Sequence, residues 1–183
     1  KVPKSPRLIA KEVKKTLDLL CESERPLILA GQGVRIAKAQ EEFLKFISKI
    51  NAPVVTTRLG IDLIESNNPL FVGRPGLYPD RAANFAVQNA DLIISLAARL
   101  DTGIIGYDPK DWGRHAKKIV VEIDKEELDK PGINIDLKIE SGVGEFLAEL
   151  FRQIKSKKLP DFGRWISVCA SWNVPSPFPL YKY

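Results

Sequence analysis

Apolar residues along the chain alternate between two spacings, one helical and one typical of buried strands. The first helix is predicted from positions spaced by four, four and three residues, namely Ile9, Val13, Leu17 and Leu20. The next apolar run, Pro26 to Ala30, is continuous and stops at Gly31, which indicates a strand buried on both faces. Helical spacing returns between Ile36 and Ile50. The pattern therefore predicts strands and helices in alternation.

The same alternation continues through most of the chain. Further strands are predicted at residues 53–55, 92–96, 119–121 and 133–139. A helix is predicted at 80–89, and another along the apolar stripe from Val143 to Ile154, with Ser141 as its N-cap. Buried strands that alternate with helices predict an α/β fold with a parallel sheet and right-handed crossovers.

The composition changes after Lys158. Four of the 13 prolines lie beyond it, at positions 160, 175, 177 and 179. Trp165 and Trp172 lie in the same stretch, and tryptophan is seldom left fully in water. We therefore expect two parts, a domain at residues 1–158 and an extended connector at 159–183 that packs through its aromatic residues.

Composition excludes several classes of protein. The chain has 183 residues, 44% of them hydrophobic, and no apolar run long enough to cross a bilayer. The first residues lack the apolar stretch of a signal peptide, and the absence of Met indicates a piece of a longer protein. Cys21 and Cys169 have no metal-type spacing, which favours a reducing, cytoplasmic setting. The net charge of +5 comes from scattered lysines, so nucleic-acid binding is not predicted.

Candidate binding residues follow the predicted strands, because ligands of open parallel sheets bind beyond the carboxyl ends of the strands. The turn after the first strand contains Gly31, Gln32 and Gly33. It forms either a phosphate cradle or a plain strand-to-helix turn, because Ile36 occupies the position of the third glycine in the dinucleotide-binding fingerprint. Two later loops carry glycines and a cation that either meets a diphosphate or forms an ion pair. Their residues are Thr57, Arg58 and Leu59, and then Gly73, Arg74 and Gly76.

The last candidates follow the strands at 92–96 and 119–121. Arg99 and Asp101 either face phosphate and ribose or hold a loop by pairing with neighbours. Glu122 and Ile123 follow the next strand, where an acid is well placed to accept hydrogen bonds from ribose hydroxyls. No catalytic residue is predicted. His115 is the only histidine and lacks a nucleophile or carboxylate at a useful spacing, and no cluster suggests a metal.

The order of these segments resembles the central domain of thiamine-diphosphate enzymes of the acetolactate synthase type. The resemblance covers roughly Leu17 to Leu150. It rests on segments at residues 25–34, 51–57, 73–76, 83–92, 99–101 and 121–124. It implies a Rossmann-like (DHS-like NAD/FAD-binding) three-layer sandwich with a parallel sheet of about six strands. The tail resembles the connector into a third domain.

The family implies a larger enzyme around this chain. A first domain would carry the glutamate that activates thiamine diphosphate, and a third would hold Mg²⁺ and the diphosphate, so both cofactors would lie outside this chain. The reaction would be decarboxylation or condensation of a 2-keto acid, and the enzyme a homo-oligomer. The fragment alone would be inactive.

In flavin-containing members of the family the central domain holds FAD, which is structural in the synthase. Carried over by position, the FAD contacts would be Gly31, Gln32, Gly33, Thr57, Leu59, Gly73, Arg74, Gly76, Arg99, Asp101, Glu122 and Ile123. The sequence departs from the synthase pattern at Thr102 and Gly103, where an acid and an arginine are usual. The resemblance therefore leaves three roles open: an FAD-binding domain, a spacer that has lost its nucleotide, or a stand-alone FAD/NAD-binding module.

Overall fold

The computed structural model describes residues 9–155 and 157–173, which contain one parallel sheet with helices on both faces. Its strands are β1 (Pro26–Ala30), β2 (Val54–Thr56), β3 (Phe71–Gly73), β4 (Leu92–Leu96), β5 (Lys117–Glu122) and β6 (Leu137–Glu140). Their spatial order is β3-β2-β1-β4-β5-β6, and every neighbouring pair is parallel. This is the strand order of dinucleotide-binding folds, and it confirms the predicted fold class.

Eight helices accompany the sheet within the described ranges. They are α1 (Ala10–Glu22), α2 (Gly33–Ile36), α3 (Gln40–Ile50), α4 (Arg81–Asn89), α5 (Thr102–Ile105), α6 (Lys125–Leu128), α7 (Val143–Ile154) and α8 (Gly163–Ser171), and a 3₁₀ turn lies at Arg58–Gly60. None of the helices in these ranges is long and apolar enough to cross a bilayer.

Two hydrophobic cores lie on opposite faces of the sheet, because successive side chains of a strand point to opposite sides. In β1, Ile28 and Ala30 join the core formed with α1, α3 and α7. Leu27 and Leu29 join the second core, which includes buried residues of α4 and α8. The sheet is therefore covered on both faces, which explains why β1 reads as a continuous apolar run.

Two local predictions about helices and strands are wrong, and a third, the helical spacing from Ile36 to Ile50, is confirmed by α3 but not as one continuous helix. The stretch between Ile36 and Ile50 is interrupted after α2, where Lys38 adopts a left-handed φ of 54°. The strand predicted from Ile133 begins only at Leu137, because Ile133 is buried in the second core from a loop. The N-cap of α7 is Gly142 and not Ser141, whose amide donates to the Glu122 carbonyl at the end of β5.

The tail is not extended between Gly163 and Ser171, where it forms α8. The prolines flank this stretch without interrupting it, and the Asp161 carboxylate accepts a hydrogen bond from the Gly163 amide at its start. The buried Trp165 donates from Nε1 to the Pro26 carbonyl at 2.9 Å. The prolines at 175, 177 and 179 lie outside the described residues.

Helix α8 lies across the amino edge of the sheet and contacts both cores. Phe162, just before the helix, is buried in the first core. Trp165 and Cys169 are buried in the second. The ring of Trp172 meets that of Trp165 edge-to-face, with ring centroids 5.7 Å apart. This helix therefore fixes the tail to the start of the central strand β1.

Candidate functional site

The carboxyl ends of β1 and β4 meet at the point where the strand order reverses. The connection from β1 leads to β2 on one side, and β4 pairs with β1 on the other side. The Gly31 amide donates to the Leu96 carbonyl at 2.9 Å, and the Gly33 amide donates to the Ala97 carbonyl at 3.2 Å. The predicted crevice therefore lies between the loop after β1 and the loop after β4.

Gly31 and Gly33 allow these two loops to touch. A Cβ added at Gly31 would lie 2.2 Å from the Ala97 carbonyl oxygen and 2.4 Å from the Ala98 Cα. A Cβ added at Gly33 would lie 2.7 Å from the Ala97 Cβ. The close approach of protein backbone is therefore sufficient to explain why both positions are glycine.

The amides of α2 are largely engaged within their own turn. Val34 donates to the Gly31 carbonyl at 3.2 Å, and Arg35 and Ile36 donate to the Gln32 carbonyl at 3.0 and 3.1 Å. These groups do not point at a ligand, as a phosphate-binding helix start would require.

Several other amides of these two loops have no hydrogen-bond partner among the described residues. Among these amides are those of Gln32, Ala98 and Arg99. Ala97 between the two loops adopts φ 47°, a left-handed conformation that costs a non-glycine residue about 1–2 kcal/mol. Strained backbone of this kind is concentrated at functional sites. The loops after β1 and β4 therefore keep backbone donors that no described acceptor occupies.

Thr57 and Leu59 lie beside this crevice, after β2. The buried Thr57 donates from its amide to the Ala30 carbonyl at 2.9 Å, which ties the end of β2 to the end of β1. Leu59 is 65% exposed on the 3₁₀ turn, which contacts α2, where Ile36 is 74% exposed. An apolar surface therefore borders the crevice on the β2 side.

Arg74 is held by an ion pair within its own loop. Its Nε donates to the Asp80 carboxylate at 2.9 Å, and its amide donates to the same oxygen. Gly73 and Gly76 have φ values of 129° and 127°, which favour glycine. Arg74 therefore forms an ion pair in this structure, and its contact with a diphosphate stays a prediction.

Arg99 also pairs within the protein. Its guanidinium donates to Glu127 at 2.7 Å, although the side chain is 77% exposed. Hydrogen bonds from Lys130 and then from Arg99 lower the pKa of the Glu127 carboxyl, and the same contact with Glu127 raises the pKa of Arg99. Asp101 is exposed, and its carbonyl accepts the amide of Ile104 at the start of α5.

Glu122 caps the turn that follows β5. Its Oε1 accepts the amides of Ile123 at 2.8 Å and Asp124 at 3.3 Å, and the residue is only 8% exposed. Ile123 is 48% exposed. The Glu122 carboxylate therefore stabilises its own loop, and Ile123 presents an apolar side chain at the carboxyl edge.

The single histidine of the chain lies away from the crevice. His115 is exposed in the segment that leads into β5, at the opposite edge of the sheet. No cluster of His, Cys, Asp and Glu in the described ranges is placed to hold a metal ion. The sequence analysis does not predict the cavity that the basic run around His115 lines. The available signal was five basic side chains within residues 110–118.

Comparison with known proteins gives one family. Residues 13–150 match the family described as "Thiamine pyrophosphate enzyme, central domain". The chain is 35% identical over 144 residues to a probable acetolactate synthase large subunit of Methanococcus aeolicus. The aligned region covers 79% of this chain and 24% of that protein. It is 30% identical over 167 residues to the acetolactate synthase large subunit of Lactococcus lactis, and this aligned region covers 91% of this chain and 28% of that protein. The chain thus spans about a quarter of the length of these relatives.

Proposed function

Because this chain belongs to the family of thiamine pyrophosphate enzyme central domains, we propose that it is the middle domain of a larger thiamine-diphosphate-dependent enzyme acting on a 2-keto acid. The observation that carries the proposal is the family match over residues 13–150, on a sheet with the strand order of dinucleotide-binding folds. Acetolactate synthase large subunits among the relatives support a decarboxylation or condensation, in the transferase or lyase class. A cytoplasmic homo-oligomer is part of the same proposal.

Within that enzyme the domain acts as a rigid middle body. The flanking domains hold thiamine diphosphate and Mg²⁺, and the cofactor supplies the carbanion chemistry. The ion pairs Arg74–Asp80 and Arg99–Glu127 support this structural role, since these two of the candidate cations already hold loops. The fragment is inactive by itself under this proposal.

A second role, binding of FAD at the crevice, is favoured by the amides of Gln32, Ala98 and Arg99. These three groups fit a diphosphate, and the exposed Arg99 guanidinium adds a positive charge beside them. Leu59 and Ile123 offer apolar contacts at the rim of the sheet. When bound, FAD would supply a flavin ring that supports the fold in synthases of this type. Gly33 keeps the crevice narrow, and Asp101 and Glu122 would lie on the β4–β5 side of the nucleotide.

The first experiment measures catalysis by the full-length protein. We expect release of CO₂ from a 2-keto acid such as pyruvate only when both thiamine diphosphate and Mg²⁺ are added. Omission of either cofactor is the matched control. Turnover without thiamine diphosphate would refute the proposal, as would a parent sequence that lacks either flanking cofactor domain.

The second experiment separates the two roles of the crevice. An absorbance spectrum of the purified full-length protein shows a flavin band if FAD is bound, and Arg99→Gln should weaken the band. Arg164→Gln, an exposed cation on α8 at the opposite edge of the sheet, is the matched control. A colourless protein that gives no heat on titration with FAD would leave the spacer role. Tight binding of FAD or NAD by the isolated chain would instead support a stand-alone module.

A further inference from the structure

A cavity of about 580 Å³ opens at the amino edge of the sheet, opposite the crevice. It lies between the two segments that lead into β5 and β6, at residues 109–118 and 132–136. Gly132, with φ 96°, lets its loop turn back toward the first segment, and a Cβ added there would lie 3.3 Å from the Pro109 Cγ. The cavity is therefore formed by two loops that touch each other and is not part of the family's crevice.

The lining of this cavity is strongly basic. Five basic side chains line it, namely Lys110, Arg114, His115, Lys117 and Lys118. The single acid of the lining is Asp136, and its carboxylate already accepts the Lys118 amide at 2.8 Å. Within the described ranges, neither Lys110 nor Arg114 has an ion-pair partner. Lys117 pairs with Glu22 at 3.9 Å, so the excess of positive charge in the walls comes mainly from Lys110, Arg114 and Lys118.

Lys118 is the most informative member of the lining. It is only 6% exposed, and its Nζ donates to the carbonyls of Gly113 at 2.9 Å and Ala116 at 3.1 Å. An ammonium group has three N–H donors, so one remains. Burial lowers the pKa of Lys118, an effect that the charge of Asp136 opposes, and no carboxylate among the described residues lies within ion-pair distance of its ammonium. A cation buried without a paired anion is unfavourable unless an anion arrives.

The hydrogen bonds of Lys118 also position the neighbouring cations. They fix the carbonyls of Gly113 and Ala116, which flank Arg114 and His115. The loop that presents these two side chains is therefore anchored at both ends. Such an anchored, concave arrangement differs from a row of solvated lysines on a helix.

We propose that this cavity binds a small, multiply charged anion of the phosphate class. A cleft lined by charges of one sign concentrates the electric field and attracts counter-ions. The Arg114 guanidinium matches phosphate oxygens in a two-pronged contact, and the Lys118 ammonium adds a point charge. The volume suits a small molecule, whereas a polynucleotide needs an extended basic stripe.

Calorimetric titration of the full-length protein at low ionic strength tests this proposal. The probes are inorganic phosphate, inorganic diphosphate and ADP. We expect diphosphate to bind more tightly than phosphate, and added salt to weaken both. Much tighter binding of ADP than of diphosphate would identify a nucleotide as the source of the phosphate group. Equal binding would identify the free anion, and both outcomes support the site.

Two variants locate the binding. Arg114→Gln and Lys110→Gln should each lower the affinity for diphosphate by about tenfold, because each removes a charge-assisted hydrogen bond. Both side chains are exposed, so the fold tolerates their replacement. Lys49→Gln, an exposed lysine at the end of α3, is the matched control and should leave binding unchanged. The proposal is overturned if no probe releases heat, if Arg114→Gln binds diphosphate as the parent does, or if an RNA oligonucleotide displaces diphosphate at lower concentration.

Discussion

Gly31→Ala is expected to destabilise the protein strongly, although alanine is the smallest possible change. The added Cβ would lie 2.2 Å from the Ala97 carbonyl oxygen and 2.4 Å from the Ala98 Cα. Both atoms belong to the backbone, so no side-chain rotation relieves the overlap. The loop after β4 has to retreat by about 1 Å to restore an ordinary contact.

The magnitude follows from what this retreat disturbs. Overpacking in a well-packed interior costs about 1–3 kcal/mol. The retreat also stretches the hydrogen bonds from Gly31 to Leu96 and from Gly33 to Ala97, each contributing about 0.5–1.5 kcal/mol. Alanine also lowers the conformational entropy of the unfolded chain, which offsets about 0.4–1 kcal/mol of this loss. We therefore expect a loss of about 3 kcal/mol, or roughly 6–12 °C in Tm for a chain of this size.

Urea unfolding followed by tryptophan fluorescence measures this loss. The slope of unfolding free energy against urea should stay unchanged, so that the shift in midpoint reports stability. Gly144→Ala is the matched control, because Gly144 is the second residue of α7 and its added Cβ would lie 4.0 Å from the Ala39 Cβ. That variant should gain about 0.5 kcal/mol. If both variants unfold within about 0.5 kcal/mol of the parent, the close packing of the two loops is refuted.

Three further outcomes are expected. Trp165→Phe should lower the unfolding free energy by about 1–3 kcal/mol, because it leaves the Pro26 carbonyl without its buried donor; a change below 0.5 kcal/mol in urea unfolding would contradict this. Ala97→Gly should raise the unfolding free energy by about 1 kcal/mol, because glycine adopts the left-handed φ without strain. A lower unfolding free energy for this variant would exclude strain at Ala97. Burial raises the pKa of Cys169 to about 12, so iodoacetamide at pH 9 should label Cys21 and spare Cys169, as peptide mass spectrometry would show. The pKa of Cys169 is higher in the folded protein than in the unfolded chain, so its contribution to the free energy of unfolding is complete below about pH 8.5 and is lost progressively toward pH 12. Cys169→Ala should remove this decrease in unfolding free energy at high pH.

The sequence predicts the sheet well because the strands are buried on both faces. β1 is a continuous apolar run between Arg25 and Gly31, and β4 is apolar except for Ser95, so the pattern of both segments indicates buried strands. Ile133 misleads because an apolar residue in a loop can fill a core as well as one in a strand. α8 is missed because the composition around it is rich in proline, whereas the helix itself contains none.

The candidate site is predicted in position but not in hydrogen bonding. Spacing places Gly31 and Arg99 after strands that the sheet brings together. It does not reveal that Glu127, which lies 28 residues beyond Arg99, pairs with that cation. Nor does it indicate that the amides of α2 close on their own turn. Partners of this kind depend on tertiary geometry, and local sequence carries no signal for them.

The position of α8 sets a practical limit on how this chain can be shortened. A version that stopped at Lys158, where the composition changes, would lose Phe162 from one core and Trp165 from the other at once. Both faces would then expose apolar grooves, and such surfaces promote aggregation. The helix also gives any segment that follows it in a longer protein an anchored starting point. Phe162 and Trp165 together fix α8 against the sheet as far as Ser171.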